Sequence, residues 1–151
     1  MSPKVHDAIR VECITRIHPG DDPIQEVKLR GDISDMTFTN DNFLKTFYEA
    51  IGTNIIEGVD LPGLGVRMWL DEEGKLKNDT PLNIDGTLLF QMEHKINDQI
   101  LGNIVFTSIR ISKDGYTEGL NKREKKKLLE VLEMLQSLRP EFGYMTEVLN
   151  G

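Results

Sequence analysis

The chain has 151 residues, the size of one ordinary domain, and can bury about 70% of its unfolded surface without a disulfide or metal staple. Eighteen basic residues against 25 acidic ones leave a formal charge of −7, and 38% hydrophobic with 28% charged residues is a globular balance. The charge excludes a generally basic nucleic-acid binder, and no apolar run approaches the roughly 20 residues of a membrane helix.

Residues 1–7 have no apolar signal-peptide core, so a cytoplasmic protein is expected. Across residues 8–17, Ile9, Val11 and Cys13 alternate with Arg10 and Glu12, the period of a half-buried strand. The run from His18 through Pro19, Gly20, Asp21, Asp22 and Pro23 is dense in turn formers. Residues 25–29 alternate again, so the two strands read as an antiparallel hairpin. Residues 31–37 form a connection. Thr39, Asn40 and Asp41 then offer N-caps to a helix carrying Phe43, Leu44, Phe47, Tyr48 and Ile51 on one stripe, with Gly52 as its stop.

Residues 54–61 predict a strand, with a bulge or a close approach at Gly58. Pro62 and Gly63 turn the chain into a second strand over 65–70, followed by a tight acidic turn of Asp71, Glu72, Glu73 and Gly74. Residues 85–94 predict a short helix bearing Leu88, Leu89 and Met92, which Asn83 can cap. Residues 99–111 are rich in Ile, Val and Phe and predict one long strand, with a bulge at Gly102 and Asn103. After a loop over 113–119, Asn121 caps the longest helix, and Asn121 with Glu124 has the spacing of a capping box. Arg139 and Pro140 stop it near Leu138.

This order predicts a single α+β domain over 1–151, with a core over 7–111 and a last helix over 121–138. Its sheet should be mainly antiparallel, with two to three helices packed on one face.

On the last helix, Leu128, Leu129, Val131, Leu132, Met134, Leu135 and Leu138 cover more than half the circumference at about 100° per residue. A helix lying on a sheet needs only one apolar stripe. The excess has two readings: burial against the helix ending at Ile51, or a homodimer through 121–138. Leu128, Leu132 and Leu135 are therefore candidate interaction residues, together with Trp69, whose strand parity puts it on the less buried face. Core packing against a second layer is the alternative for Trp69.

Lys122, Arg123, Lys125, Lys126 and Lys127 open the same helix, where positive charge opposes the helix dipole. They form either a solvated face or an anion site. In the second case Tyr116, Thr117, Asn121, Lys122, Arg123 and Lys126 would hold a small anionic, nucleotide-like ligand.

Signals for catalysis are sparse. Asp60, Asp71, Glu72 and Glu73 form one acidic group and Asp21 with Asp22 another, but carboxylates in turns are usually solvated. His94 is a lone candidate base. His6, His18 and His94 stand at no metal-binding spacing, and Cys13, the only cysteine, reads as a small buried hydrophobe. No catalytic residue, metal or cofactor is assigned.

Four runs then stand out: I-I-E-G-V-D-L from Ile55, M-W-L-D-E-E-G-K-L from Met68, P-L-N from Pro81, and I-L-G-N-I-V-F from Ile100. In these the chain resembles a family of small bacteriophage and mobile-element proteins known only as a domain of unknown function. With the upstream hairpin and helix, the resemblance spans about two thirds of the chain and leaves out the helix after Thr107. It implies a compact α+β unit and brings no established activity.

The expectation is a small non-enzymatic binding protein of a phage or mobile element that interferes with a host process by sequestering a small anionic ligand. The alternatives are a protein–protein inhibitor, such as an acidic anti-restriction protein or DNA mimic that binds a host protein, and a small enzyme using its acidic residues.

Overall fold

The computed structural model describes residues 5–13, 23–30, 33, 51, 56–73, 80–95 and 98–150, with side chains as far as Ser137 in the last stretch. Five strands are described: β1 Val5–Val11, β2 Ile24–Arg30, β3 Ile56–Leu61, β4 Val66–Asp71 and β5 Ile104–Ser108. Two helices accompany them, α1 Ile84–His94 and α2 Lys122–Asn150.

The sheet order is β2-β1-β5-β4-β3, and every pair is antiparallel. The fold is therefore α+β, as the alternation pattern predicts. The expected helix over 43–51 lies outside the described residues except for Ile51, and so does the loop with His18, Asp21 and Asp22.

Strand parity separates two cores. One face carries Ile9 and Val11 of β1, Leu61 of β3, Val66 and Met68 of β4, and Ile104 and Phe106 of β5. Leu89 of α1 and Leu128, Leu132 and Leu135 of α2 pack on it, so both described helices cover this one face. The opposite face carries Ala8, Leu29, Ile56, Trp69 and Val105, against which Ile33 and Ile51 pack. A sheet buried on both sides reads as nearly continuous apolar runs. That explains why the alternation of β4 and β5 is blurred: all five residues of β5 are buried.

Two predicted boundaries need correction. The strand expected over 99–111 begins only at Ile104, because Leu101 bridges Leu82 instead and Gly102 turns the chain at φ 87°. Leu101 therefore leaves the sheet, and the hint at Gly102 marks a turn rather than a bulge. The helix expected to stop near Leu138 runs on to Asn150. Pro140 removes one rung of the ladder, but a proline kinks as readily as it terminates.

The P-L-N run acts as a junction. Asn83 is 1% exposed. Its Oδ1 accepts the Gly86 N–H at 2.9 Å, capping α1. Its Nδ2 donates to the carbonyls of Val11 (3.1 Å) and Gly102 (2.9 Å). One side chain thus ties the end of β1, the turn before β5 and the start of α1. Thr87, one turn on, accepts the Ile100 N–H at 2.9 Å and completes the clasp. The cap predicted at Asn83 is present. The far end of α1 closes at Lys95, a left-handed residue at φ 56° whose N–H bonds Gln91 O.

Candidate binding site

A groove of about 560 Å³ runs along β3, lined by Ile56, Glu57, Gly58 and Asp60 of that strand, Arg67 and Trp69 of β4, and Pro62, Glu72 and His94. Its floor follows from the register. Gly58 lies opposite Trp69 and Asp60 opposite Arg67. Gly58 has no side chain, so the Arg67 stem lies across it: a Cβ there would meet Arg67 Cδ at 2.8 Å and the Trp69 ring at 3.3 Å. The predicted close approach at Gly58 is therefore real, and the unbroken register from Ile56 to Leu61 contains no bulge.

Arg67 is held at several points. Its Nε donates to Asp60 Oδ1 at 2.6 Å, its Nη1 to Thr117 Oγ1 at 3.0 Å, and its guanidinium stands 5.7 Å from the Trp69 ring centroid. Such a stacked, forked cation is a fixed feature of the floor. On the rim, His94 Nε2 lies 2.8 Å from the Asp60 carbonyl. A carbonyl oxygen only accepts, so Nε2 carries the proton there. Glu93 accepts the Gly63 N–H across the β3–β4 turn.

Trp69 is not a surface anchor. It is 2% exposed, and its indole N–H donates to Thr107 Oγ1 at 2.9 Å inside the second core. The second layer over that face, which strand parity alone could not reveal, buries it. Leu128, Leu132 and Leu135 are likewise buried in their own chain, so the excess apolar width of α2 is largely spent within the domain. Met134 remains 49% exposed.

The residues named for an anion site do not converge. Asn121 and Glu124 form the capping box: Asn121 N–H donates to Glu124 Oε1 at 2.9 Å, and Glu124 N–H to Asn121 Oδ1 at 2.8 Å. A carboxylate of the chain already occupies the place an anion would take at the start of α2. Thr117 is 2% exposed and turned toward Arg67. Tyr116 is half-buried in the loop, its N–H donating to Ser112 Oγ. Lys122, Arg123 and Lys126 are exposed and have no anionic partner among the described residues.

The other lysines of the run are tied down. Lys125 reaches Glu26 at 3.1 Å and Asp7 at 3.3 Å, joining α2 to the β1–β2 hairpin. Its ammonium pKa is raised, chiefly by the Glu26 contact. Asp7 also accepts from Lys28, which holds its carboxyl below the ordinary range. Lys127 donates to Gly63 O at 3.0 Å.

Glu124 is the hub of the α2 start. Besides the cap it accepts from Ser108 Oγ (2.8 Å) and from Arg110 Nε and Nη2 (each 3.0 Å). Burial works to raise its pKa, but the Arg110, Asn121 and Ser108 bonds outweigh it and the carboxyl is lowered. The same pair raises Arg110. Sequence reading found the Asn121–Glu124 box but missed Arg110, which it placed inside the strand over 99–111 although β5 ends at Ser108.

The weighed acid groups are structural or exposed. Asp71 is 8% exposed and accepts the Glu73 N–H at 2.9 Å, shaping its own turn. Asp60 is paired with Arg67. No group of three metal-ligating side chains occurs among the described residues. Cys13 is half-buried rather than fully buried, since β1 ends at Val11. Its Sγ lies 3.3 Å from Asn103 Oδ1, and burial raises its thiol pKa.

No helix among the described residues is long and apolar enough to cross a membrane. A family model described as a domain of unknown function, DUF3846, matches residues 12–133. No curated protein and no solved structure matches the chain. The chain belongs to the DUF3846 family, and the match extends into α2 as far as Glu133. The first part of the helix after Thr107, residues 122–133, lies outside the initial resemblance but within the family match.

Proposed function

We propose that this family member is a non-enzymatic binding protein whose contact face is the groove along β3. One observation carries the reading: a groove of about 560 Å³ in which Asp60, Arg67 and His94 are held in place before any ligand arrives. Arg67 is fixed by Asp60 and Thr117, and His94 by the Asp60 carbonyl. Preorganised contacts reduce the ordering cost of binding. Neither His94 nor the acids of the rim stand in a nucleophile–base arrangement, so the groove suits recognition rather than turnover. Interference with a host process is the use that the resemblance to phage and mobile-element proteins suggests.

A second reading keeps a small anionic ligand, held by Lys122, Arg123 and Lys126. It is favoured by their exposure and lack of anionic partners among the described residues. The carboxylate of Glu124 at the same helix start opposes it.

Amide spectra of isotope-labelled full-length protein, titrated with a nucleotide panel and with short peptides of varied charge, separate the two. Shifts centred on Gly58, Asp60, Arg67 and the Trp69 indole support the groove. Shifts confined to 121–126 transfer the site to the helix start. Silence at both removes the binding reading.

A further inference from the structure

We propose that the partner is an extended peptide segment with Lys or Arg at alternate positions, which joins the sheet as a new strand along the outer edge of β3. The proposal rests on the groove reading above and names the chemistry of what fills it.

The backbone makes the first part of the case. β3 is the last strand of the sheet order among the described residues. Asp60 turns its carbonyl to His94 on the outside, not to β4. In an antiparallel ladder the pairing groups alternate, so the backbone N–H and C=O of Gly58 and Ile56 point the same way. Gly58 and Asp60 are both exposed. Apart from the His94 contact this stretch of edge is open at Gly58 and Asp60, and an open strand edge is a template for an incoming strand.

The shape of the groove follows that edge. Ile56, Gly58, Asp60 and Trp69 belong to the second-core face, whereas Glu57 and His94 stand on the helix side. A groove lined from both faces wraps the strand's edge.

Charge chooses the occupant. Residues 56–73 carry Glu57, Asp60, Asp71, Glu72 and Glu73 against Arg67 alone. A second copy of the same edge would set carboxylate against carboxylate, which is how edge strands avoid self-pairing. A basic strand meets the opposite field, and such complementarity governs partner choice and association rate.

The test is selection of random peptides about twelve residues long, twice the six residues of β3, on the immobilised full-length protein. The expected winners are extended sequences with basic residues at every second position. Their binding shifts the Ile56, Gly58 and Asp60 amides. Methylating alternate backbone nitrogens on the strand-pairing side should abolish it. The double variant E57K/E72K, altered only at exposed side chains, should bind the same peptides about tenfold more weakly. Enrichment of acidic, proline-rich or helical peptides overturns the proposal, as does binding indifferent to backbone methylation or to E57K/E72K. If no peptide shifts β3 while a nucleotide shifts the groove, strand addition fails and the groove reading stands. If neither does, both fail.

Discussion

His94 Nε2 and the carbonyl oxygen of Asp60 lie 2.8 Å apart, joining the last turn of α1 to the outer edge of β3 across 34 residues of sequence. Phe90, one turn earlier, stacks on the same imidazole with ring centroids 4.8 Å apart. The contact is exposed, so replacing it costs little. His94→Ala should lower unfolding free energy by about 1 kcal/mol or less in urea titrations, with amide shifts concentrated at Asp60 and Leu61. A loss several times larger would show that this contact supports more than the strand edge.

Asn83 should be far less replaceable. Asn83→Ala removes the cap of α1 and strands two buried carbonyls, those of Val11 and Gly102. The cap is worth about 1 kcal/mol and each unsatisfied buried group about 1–3, so a total of about 3 kcal/mol or more is expected in denaturant unfolding. Asn83→Asp should restore the cap alone and leave most of the loss.

At Gly119 the surroundings are the backbone of Asp7 and the Cβ of His6. A Cβ there would stand 2.7 Å from His6 Cβ, 2.9 Å from Asp7 N and 3.0 Å from Asp7 O. The next residue also donates its N–H to Asp7 O at 2.8 Å, so β1 cannot withdraw without breaking that bond. Gly119→Ala should destabilise by about 2 kcal/mol through overpacking, read from the midpoint of thermal or urea unfolding. Gly58→Ala should be milder, because the nearest atom it meets is a side-chain carbon of Arg67 rather than backbone.

The α2 hub gives a pH signature. The Glu124 carboxyl is lowered from its ordinary 4.5 in the folded protein, its bonds to Arg110, Asn121 and Ser108 outweighing burial. A depressed carboxyl contributes stability that is fully present above the unfolded value and disappears as pH falls through the folded one. Unfolding free energy should therefore be flat near neutrality and decline below about pH 4.5, the unfolded value. Asp7, lowered chiefly by Lys28, adds to the same decline. Glu124→Gln should be less stable at neutral pH and show a shallower acid slope. An unchanged slope would remove Glu124 as a linkage group.

Trp69 is the only tryptophan, so its emission reports on one place. Buried and bonded to Thr107, it should emit at short wavelength in the native protein and shift to the red on unfolding. Trp69→Phe should cost about 2 kcal/mol, from lost ring volume and from the Thr107 hydroxyl left without its donor.

Much of the fold was legible because it depends on local chemistry. Alternation marked the β1–β2 hairpin, the Pro62–Gly63 turn marked the β3–β4 hairpin, and the Asn121–Glu124 spacing marked the start of α2. Asn83 was readable as a cap for the same reason: an Asx residue before a helix acts within three residues of itself. The bonds from Asn83 to Val11 and Gly102 were not readable, since they span 72 and 19 residues.

What the sequence by itself determined is therefore the α+β class, the antiparallel pairing of near neighbours and the acidic field. Tertiary structure alone decided that a second layer covers the far face of the sheet. It buried Trp69 and turned a candidate anchor into core. Tertiary structure also joined Glu124 to Ser108 and Arg110, and placed Gly58, Asp60, Arg67 and His94 around one groove. Periodicity reports which side of an element is apolar. Which other element arrives to cover that side is set by the packing of distant segments, and no local spacing encodes it.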